Sequence, residues 1–250
     1  MGEELRVRSA IASDQRWRER MEDRALAEPL AAGTLLAVFD GHGGASVADH
    51  ARAHARDAVE DGLAAGLRDA ALWSAVFARL DASLDRCGST ATLALVLDRR
   101  LSVGWVGDSR ALLVRTEGHD AVTADHRLER ADERRRVRRA GADFDGPYVV
   151  DPRSGQGLMM TRSLGDRGLR HVGIVAEPEC RTRPLAAGDV AVVLGTDGLW
   201  DVLDEAEVAA VARAVPEPGA VAGRLVTLVA ERGGRDNVTV VVARLDHHAG

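Results

Sequence analysis

Two segments that are apolar almost throughout constrain the fold of this chain more than any other feature of its sequence. They are Ala91–Leu97 and Val190–Leu194. Strands that lack polar alternation are covered on both faces. Further apolar runs predict four more strands, at Leu35–Phe39, Leu101–Val106, Ala111–Val114 and Val238–Ala243.

The connections between these strands are short. Only Asp98, Arg99 and Arg100 lie between the strand that ends at Leu97 and the strand that begins at Leu101. Only four residues lie between Val106 and Ala111. Such connections join antiparallel neighbours, because a parallel crossover needs a dozen residues or more. Antiparallel strands buried on both faces predict a sheet packed on a second sheet, with helices outside. Amphipathic spacing predicts helices in pairs, at Ala45–Leu63, Leu67–Leu84, Val202–Val215 and Ala220–Arg232.

The chain contains no lysine, so all 33 of its basic residues are arginines. This excludes a Walker-type phosphate loop, a protein kinase and a Schiff-base enzyme, since each of these requires a lysine amine. A coding bias toward arginine and alanine is the simplest explanation of the absence.

Charge, cysteine content and hydropathy limit the partners and the location. A net charge of −6 argues against nucleic-acid binding by bulk electrostatics. The two cysteines, Cys87 and Cys180, form neither a disulfide framework nor a zinc site, and we expect Cys87 to be a buried structural residue. No apolar run approaches the ~20 residues of a membrane span, and the N-terminus lacks the apolar region of a signal peptide. We expect a cytoplasmic protein with a single domain over residues 1–250.

Carboxylates directly follow two of the apolar runs. Asp40 comes at the end of LLAVFDG and Asp197 at the end of VVLGTDG. Asp-Gly pairs also occur at Asp61 and Asp145, and such a pair is usually only a turn, so any one of them is weak evidence. An acid at the end of a buried strand, however, is costly unless it is paired. A hard divalent cation such as Mg²⁺ or Mn²⁺ pairs with several such acids at once.

Further acids stand at strand and turn boundaries: Asp108 in LSVGWVGD, Asp236 in GGRDNVTVVV, Glu22 and Asp23 in RMEDR, and Asp201 in DGLWD. Each acid taken alone is explained as a cap or turn residue. Five boundaries that all carry acids, with no lysine to neutralise them, favour a two-metal site.

The segment Asp40-Gly41-His42-Gly43-Gly44 indicates that the backbone approaches another group closely. It lacks the spacing of a dinucleotide-binding fingerprint. We expect His42 to transfer a proton to a leaving group. Arg18, four residues before Glu22, offers a guanidinium fork to a phosphate.

Two other patterns have plainer explanations. His50 and His54 are spaced like a zinc pair, but without an intervening glutamate pattern we expect ordinary helix histidines. The segment Arg127–Arg139 contains seven arginines. It is either a solvated helical face or a surface beside the active site that attracts phosphorylated or acidic segments, with Arg135 and Arg136 as the test positions.

Nine segments follow one another along the chain: WRERMEDR, VFDGHGG, GSTATLALV, VGDSRALLVR, ADHRLERADERRRVRRAGA, TRSLGD, EPE, GTDGLWD and GGRDNVTVVV. In this order they resemble the metal-dependent Ser/Thr protein phosphatases of type 2C. The resemblance covers about residues 5–245, and it is weakest in the flap at about 142–165.

The resemblance implies an α+β fold, a four-layer αββα sandwich of two antiparallel sheets flanked by helices. It also implies two Mg²⁺ or Mn²⁺ ions. Asp40 would bridge both ions, Asp197 and Asp236 would complete one, and the Gly41 carbonyl would bind the other. The remaining implied roles are water-holding for Glu22 and Asp23, support of Asp236 for Asn237, and a third, weaker metal site at Asp108 with Asp197, where Asp201 would hold a water.

The implied reaction is hydrolysis of phosphoserine and phosphothreonine in proteins by a hydroxide that bridges the two ions, without a phosphoenzyme. Arg18 would bind the phosphate, and His42 would protonate the departing oxygen. We expect a monomer that acts on phosphorylated proteins. A non-catalytic binding module with the same fold and an esterase for small phosphorylated metabolites are the alternatives. The intact acids at 40, 197 and 236 argue against the first of these.

Overall fold

The computed structural model describes residues 4–81 and 87–248. Over these residues the chain forms 16 strands and six α-helices. The strands are β1 Glu4–Asp14, β2 Arg24–Pro29, β3 Thr34–Phe39, β4 Gly41–His42, β5 Gly88–Ser89, β6 Ala91–Leu97, β7 Arg100–Val106, β8 Arg110–Arg115, β9 His119–Ala121, β10 Asp143–Asp145, β11 Tyr148–Val150, β12 Gly157–Leu158, β13 Leu164–Gly165, β14 Glu179–Pro184, β15 Asp189–Gly195 and β16 Val238–His248. The helices are α1 Ser46–Ala64, α2 Asp69–Leu80, α3 Ala131–Arg139, α4 Asp197–Trp200, α5 Glu205–Ala214 and α6 Pro218–Glu231.

Ten of the strands form two five-stranded sheets. The order is β14-β7-β6-β3-β2 in the first sheet and β1-β16-β15-β8-β9 in the second. Every pairing within them is antiparallel. All six predicted strands are confirmed, and each begins within one residue of its predicted start. The edge strands β1, β2 and β14 contain polar residues among the apolar ones, and no apolar run predicts them.

The prediction that β7 and β8 are paired neighbours is wrong, because they belong to different sheets. The residues between them carry the chain from one sheet to the other. Gly107 makes this possible with a φ of +92°, and a Cβ at this position would lie 2.6 Å from the side chain of Thr90. A short connection implies that two strands pair only if both belong to the same sheet. Where two sheets are stacked, an equally short connection can cross from one sheet to the other. The crossing places Asp108 at the end of both sheets.

Three apolar clusters hold these elements together. The first joins α1 and α2 to the first sheet and contains Trp73, Phe77 and Phe39. The second contains residues of both sheets, among them Leu36 and Leu194. The third joins α4, α5 and α6 to the second sheet. Burial of apolar area at about 25 cal/mol per Å² makes these clusters the main favourable contribution to folding.

The predicted helices are present as α1, α2, α5 and α6. Helix α2 ends at Leu80, and the predicted end at Leu84 lies outside the described residues. The Nδ1 of His54 donates to the backbone oxygen of His50 at 2.8 Å, as expected of a helix histidine. Cys87 is half-buried rather than buried. No helix among the described residues is long and apolar enough to cross a membrane.

The segment expected to form the flap contains the small sheet β10-β11-β12. It packs against α3 through a fourth apolar cluster that includes Val137, Val149 and Leu158. Above this cluster the guanidinium groups of Arg134 and Arg138 lie 4.7 and 5.0 Å from the ring centre of Phe144. The flap is therefore attached to α3 by both apolar and cation–π contacts.

Candidate active site

A cleft of about 630 Å³ lies at one end of the two sheets. Its lining consists of Trp17, Arg18, Glu19, Arg20, Glu22, Asp40, Gly41, His42, Gly43, Met160, Asp197, Asp236 and Asn237. Eight of the eleven predicted site residues are among them, and the exceptions are Asp23, Asp108 and Asp201. Sequence reasoning missed Met160, which belongs to none of the motifs, and Trp17, which opens the segment WRERMEDR without being one of its charged residues. The Trp17 ring is 78% exposed.

Strand register brings the acids of the cleft together. In the second sheet, Gly195 at the end of β15 pairs with Val240 near the start of β16. Asp197 and Asp236 therefore come to the same end of that sheet. In the first sheet, Val38 pairs with Thr92, which places Asp40 beside the start of β6.

The backbone of Asp40 is fixed by Thr90. The Asp40 N–H donates to Thr90 Oγ1 at 3.0 Å, and the Thr90 N–H donates to the Asp40 oxygen at 2.9 Å. Thr90 Oγ1 also shares a hydrogen bond of 2.7 Å with Ser109 Oγ, next to Asp108. The end of β3 and the crossing between the sheets are thus held in one network.

The carboxylates of this region carry more negative charge than the described side chains neutralise. Burial, followed by the charges of Asp23, Asp197 and Asp108, raises the pKa of Asp40 well above its ordinary value. Burial, followed by the charges of Asp108 and Asp201, raises the pKa of Asp197 to about 7. Crowded carboxylates oppose one another's ionisation, so the site favours an added cation.

Asp23 lies behind the cleft and is only 3% exposed. Its Oδ2 accepts a hydrogen bond of 2.9 Å from Thr196 Oγ1, whereas its Oδ1 is buried without a partner among the described residues. Burial raises the pKa of Asp23 to about 6. An orphaned buried carboxylate oxygen is costly, which indicates a polar group at this place when the site is complete.

Arg18 and Asn237 organise the opposite wall. Arg18 Nη2 donates to Asp236 Oδ2 at 2.5 Å, and the Arg18 side chain is 61% exposed. Asn237 Oδ1 accepts from the Glu22 N–H at 2.8 Å, and its Nδ2 donates to the Gln15 oxygen at 2.9 Å. The Asn237 side chain thus fixes the segment that carries Arg18 and Glu22. The Asp236 carboxylate is contacted by the backbone N–H of Asn237, at 2.8 Å, and not by its side chain.

Gly41 and Gly88 lie so close to neighbouring groups of the cleft that a side chain at either position would collide with them. A Cβ on Gly41 would lie 2.7 Å from the backbone oxygen of Glu22. A Cβ on Gly88 would collide with both His42 Nε2 and the Asp166 carboxylate. Glycine at these positions therefore permits the close packing around the cleft.

Asp166 is a site residue that sequence reasoning missed. Its Oδ2 lies 2.7 Å from His42 Nε2 and accepts a hydrogen bond of 2.6 Å from Ser163 Oγ. Asp166 has a φ of +47° and is only 7% exposed. The signal was present in TRSLGD, a segment of the resemblance to which no role was attached.

Asp108 and Asp201 lie beside the cleft, and Arg127, which no motif connects to them, lies between them. Arg127 Nε donates to Asp108 Oδ2 at 2.7 Å. Arg127 Nη2 lies 3.6 Å from Asp197 Oδ2 and 3.6 Å from Asp201 Oδ1. A guanidinium therefore lies among the acids to which the resemblance assigns a third cation.

Another group of acids lies outside the cleft and is already paired with arginines. It consists of Asp132, Glu133 and Glu179. Arg130 pairs with Asp132 and Glu179. Because arginines neutralise the group, we assign no cation to it.

Glu133 is the centre of this arginine-paired group. It is 1% exposed and accepts hydrogen bonds from Arg136 and Arg162. Burial opposes its ionisation, but the hydrogen bonds from Arg162, Arg136 and Thr161 hold the pKa of Glu133 well below its ordinary value. Arg136 is therefore engaged by this group, whereas Arg135 is exposed.

Comparison with known proteins gives a consistent assignment. The family model "Protein phosphatase 2C" matches residues 7–238. Probable protein phosphatase 2C 45 from Oryza sativa subsp. japonica is 35% identical over 230 residues, covering 86% of this chain and 78% of that protein. The mitochondrial protein phosphatase 1K of Xenopus laevis is 35% identical over 240 residues, covering 90% of this chain and 64% of that protein.

Solved structures show the same similarity. The catalytic domain of the serine/threonine protein phosphatase PstP, solved with two manganese ions, is 30% identical, with a TM-score of 0.65 and coverage of 97% of this chain and 99% of that chain. A serine-threonine phosphatase 2C from Toxoplasma gondii is 20% identical with a TM-score of 0.82, over 95% of this chain and 94% of that one, and supports the fold alone. The chain belongs to the protein phosphatase 2C family.

Proposed function

We propose that this chain hydrolyses phosphoserine and phosphothreonine in proteins with the help of two divalent cations. The observation that carries the proposal is the meeting of Asp40, Asp197 and Asp236 in one cleft, each from the end or the start of a different strand. Arg18 at the rim of the same cleft supplies a guanidinium suited to phosphate.

The donor set fits hard divalent cations. Asp40, Asp197, Asp236 and the Gly41 carbonyl offer oxygen atoms, which Mg²⁺ and Mn²⁺ prefer. Burial first, and the neighbouring carboxylates second, raise the pKa values of Asp40 and Asp197, and such cations would supply the positive charge that stabilises the ionised forms. When bound, two divalent cations withdraw charge from phosphoryl oxygens and make water more acidic.

Two side chains of the cleft bind the phosphate and transfer the proton in the proposed reaction. We assign phosphate binding to Arg18, which has guanidinium N–H groups beyond the one that contacts Asp236. We assign protonation of the departing serine or threonine oxygen to His42, whose ring is held through Nε2 by Asp166. The described lining contains no cysteine, serine or threonine. This argues against a phosphoenzyme on any of these three residue types, and we assign the attack on phosphorus to water.

The proposal includes the organisation of the chain. One apolar cluster between the two sheets, and one between each sheet and its helices, support a four-layer αββα order. We propose a single catalytic domain over residues 1–250 that acts as a monomer on phosphorylated proteins in the cytoplasm. The open cleft favours protein substrates over small phosphorylated metabolites.

The decisive experiment measures phosphate release from phosphoserine, phosphothreonine and phosphotyrosine peptides and from a small phosphorylated metabolite. Each substrate is tested with Mn²⁺ and with chelator, for the wild type, Asp197→Ala and the matched control Asp145→Ala. We expect Mn²⁺-dependent activity on the first two peptides that only Asp197→Ala abolishes. Activity that survives chelator would refute the metal dependence, preference for the metabolite would favour the esterase, and no activity at all would favour a binding module.

A further inference from the structure

One guanidinium lies among three carboxylates at the side of the cleft. Arg127 Nε donates to Asp108 Oδ2 at 2.7 Å, and Arg127 Nη2 lies 3.6 Å from carboxylate oxygens of both Asp197 and Asp201. The Arg127 side chain is 21% exposed, so these are not the loose contacts of a surface arginine.

The backbone at Arg127 is held on two sides. His126 exchanges hydrogen bonds with Gly107: the His126 N–H donates to the Gly107 oxygen at 3.0 Å, and the Gly107 N–H donates to His126 Nδ1 at 3.1 Å. On the other side Arg127 forms a bridge with Met160, and the Thr161 N–H donates to the His126 oxygen at 2.7 Å. The fold itself therefore directs this guanidinium to the acids.

Asp108 is the most buried of the three acids, and Arg127 stabilises its charge. Asp108 is 2% exposed, and its Oδ1 has no partner among the described residues. Burial raises the pKa of Asp108, while the charge and hydrogen bond of Arg127 oppose that rise. Burial in turn opposes the charge of Arg127, but Asp108, Asp201 and Asp197 raise the pKa of Arg127 above its ordinary value.

We infer that the guanidinium of Arg127 takes the place of a third divalent cation, so that this chain binds two such ions and supplies the third positive centre itself. The resemblance assigns Asp108 to a metal, but Arg127 already engages one of its two carboxylate oxygens, Oδ2. A guanidinium keeps its charge at every pH at which the protein is folded and would repel a divalent ion at this distance. The inference rests on the proposed two-cation function.

The number of bound Mn²⁺ ions tests this inference without relying on activity. Equilibrium dialysis followed by elemental analysis gives Mn²⁺ per chain from micromolar to millimolar free Mn²⁺ at constant ionic strength. The variants are Arg127→Ser, Asp108→Asn and the double variant. Arg110→Ser is the matched control, because Arg110 is 30% exposed and forms a similar pair with Asp125, at 2.8 Å through both carboxylate oxygens.

We expect two Mn²⁺ ions per chain for the wild type, Asp108→Asn and Arg110→Ser. We expect three for Arg127→Ser and two again for the double variant. A wild type that binds three ions, one of them lost in Asp108→Asn, would overturn the inference and leave the proposed function intact. So would a folded Arg127→Ser chain that still binds two. If Arg127→Ser does not fold, the wild-type and Asp108→Asn counts decide alone. A wild type that binds no Mn²⁺ would overturn both proposals.

Discussion

Replacing Asp197 with asparagine should remove the metal site and yet stabilise the metal-free protein. The pKa of Asp197 is about 7 in the folded chain against an ordinary value of 3.8. Because the folded chain retains this proton more strongly, stability falls as the pH rises through the interval between these two values. At pH 8 the full cost of holding the charge is present, whereas at pH 5 the folded wild type is still protonated at Asp197.

The magnitude follows from the same values. A tenfold change in proton affinity corresponds to about 1.4 kcal/mol, which sets an upper limit of about 4 kcal/mol for this carboxylate at pH 8. The Asp197 side chain is 26% exposed, and its charge is favourable at the start of α4. Solvent screening and the helix dipole therefore reduce the net gain to about 1–3 kcal/mol. For a chain of this size the gain corresponds to a rise in Tm of roughly 2–6 °C.

Thermal unfolding followed by circular dichroism measures this effect, with chelator and with saturating Mn²⁺ at pH 5 and pH 8. With chelator, Asp197→Asn should melt higher than the wild type at pH 8 and by less than half of that margin at pH 5, because pH 5 lies in the lower part of this interval. With Mn²⁺ the order should reverse at pH 8, because only the wild type retains the metal site and gains about 2.7 kcal/mol for each of its two ions at a hundredfold excess over Kd. Asp145→Asn, at an exposed Asp-Gly turn, should match the wild type throughout. An unchanged or lower Tm for Asp197→Asn with chelator at pH 8 would show that the fold already compensates this charge.

Three further predictions concern residues around the cleft. Asp166→Asn, which weakens the contact that holds His42, should lower turnover of a phosphoserine peptide by about 100-fold. Turnover of an aryl phosphate with an acidic leaving group should fall only slightly, because only the serine oxygen needs a proton. Equal losses in parallel kinetics would contradict the role of His42. Glu133→Gln should lower the free energy of unfolding by about 3 kcal/mol in urea titration, since it leaves two arginines facing a neutral group; a loss below 1 kcal/mol would contradict a buried ion pair. Arg135→Glu should lower kcat/KM for an acidic phosphopeptide about 2–5-fold at low salt and leave a small aryl phosphate unchanged, as expected of one exposed charge; equal effects on both substrates would exclude substrate attraction.

The sequence predicted the sheets' central strands and the acids at their ends for one physical reason. An apolar run that ends in Asp-Gly, as at Asp40 and Asp197, marks both a buried strand and the place where it reaches solvent. The same reasoning failed between β7 and β8, because the length of a connection does not show whether the next strand joins the same sheet. It also could not find Asp166, whose role depends on a contact with His42 that is 124 residues distant along the chain.

Arg18 and Arg127 show why an arginine pattern alone does not reveal function. Both contact an acid of the proposed metal centre, yet Arg18 is 61% exposed and has a single carboxylate partner, whereas Arg127 is 21% exposed and faces three. A phosphate can compete with one partner in water but not with three around a partly buried group. A guanidinium also spans several acceptors with one planar group, which an ammonium does not do. Exposure and the number of carboxylates therefore separate the arginine that we propose for substrate binding from the arginine that we propose as a permanent counter-ion.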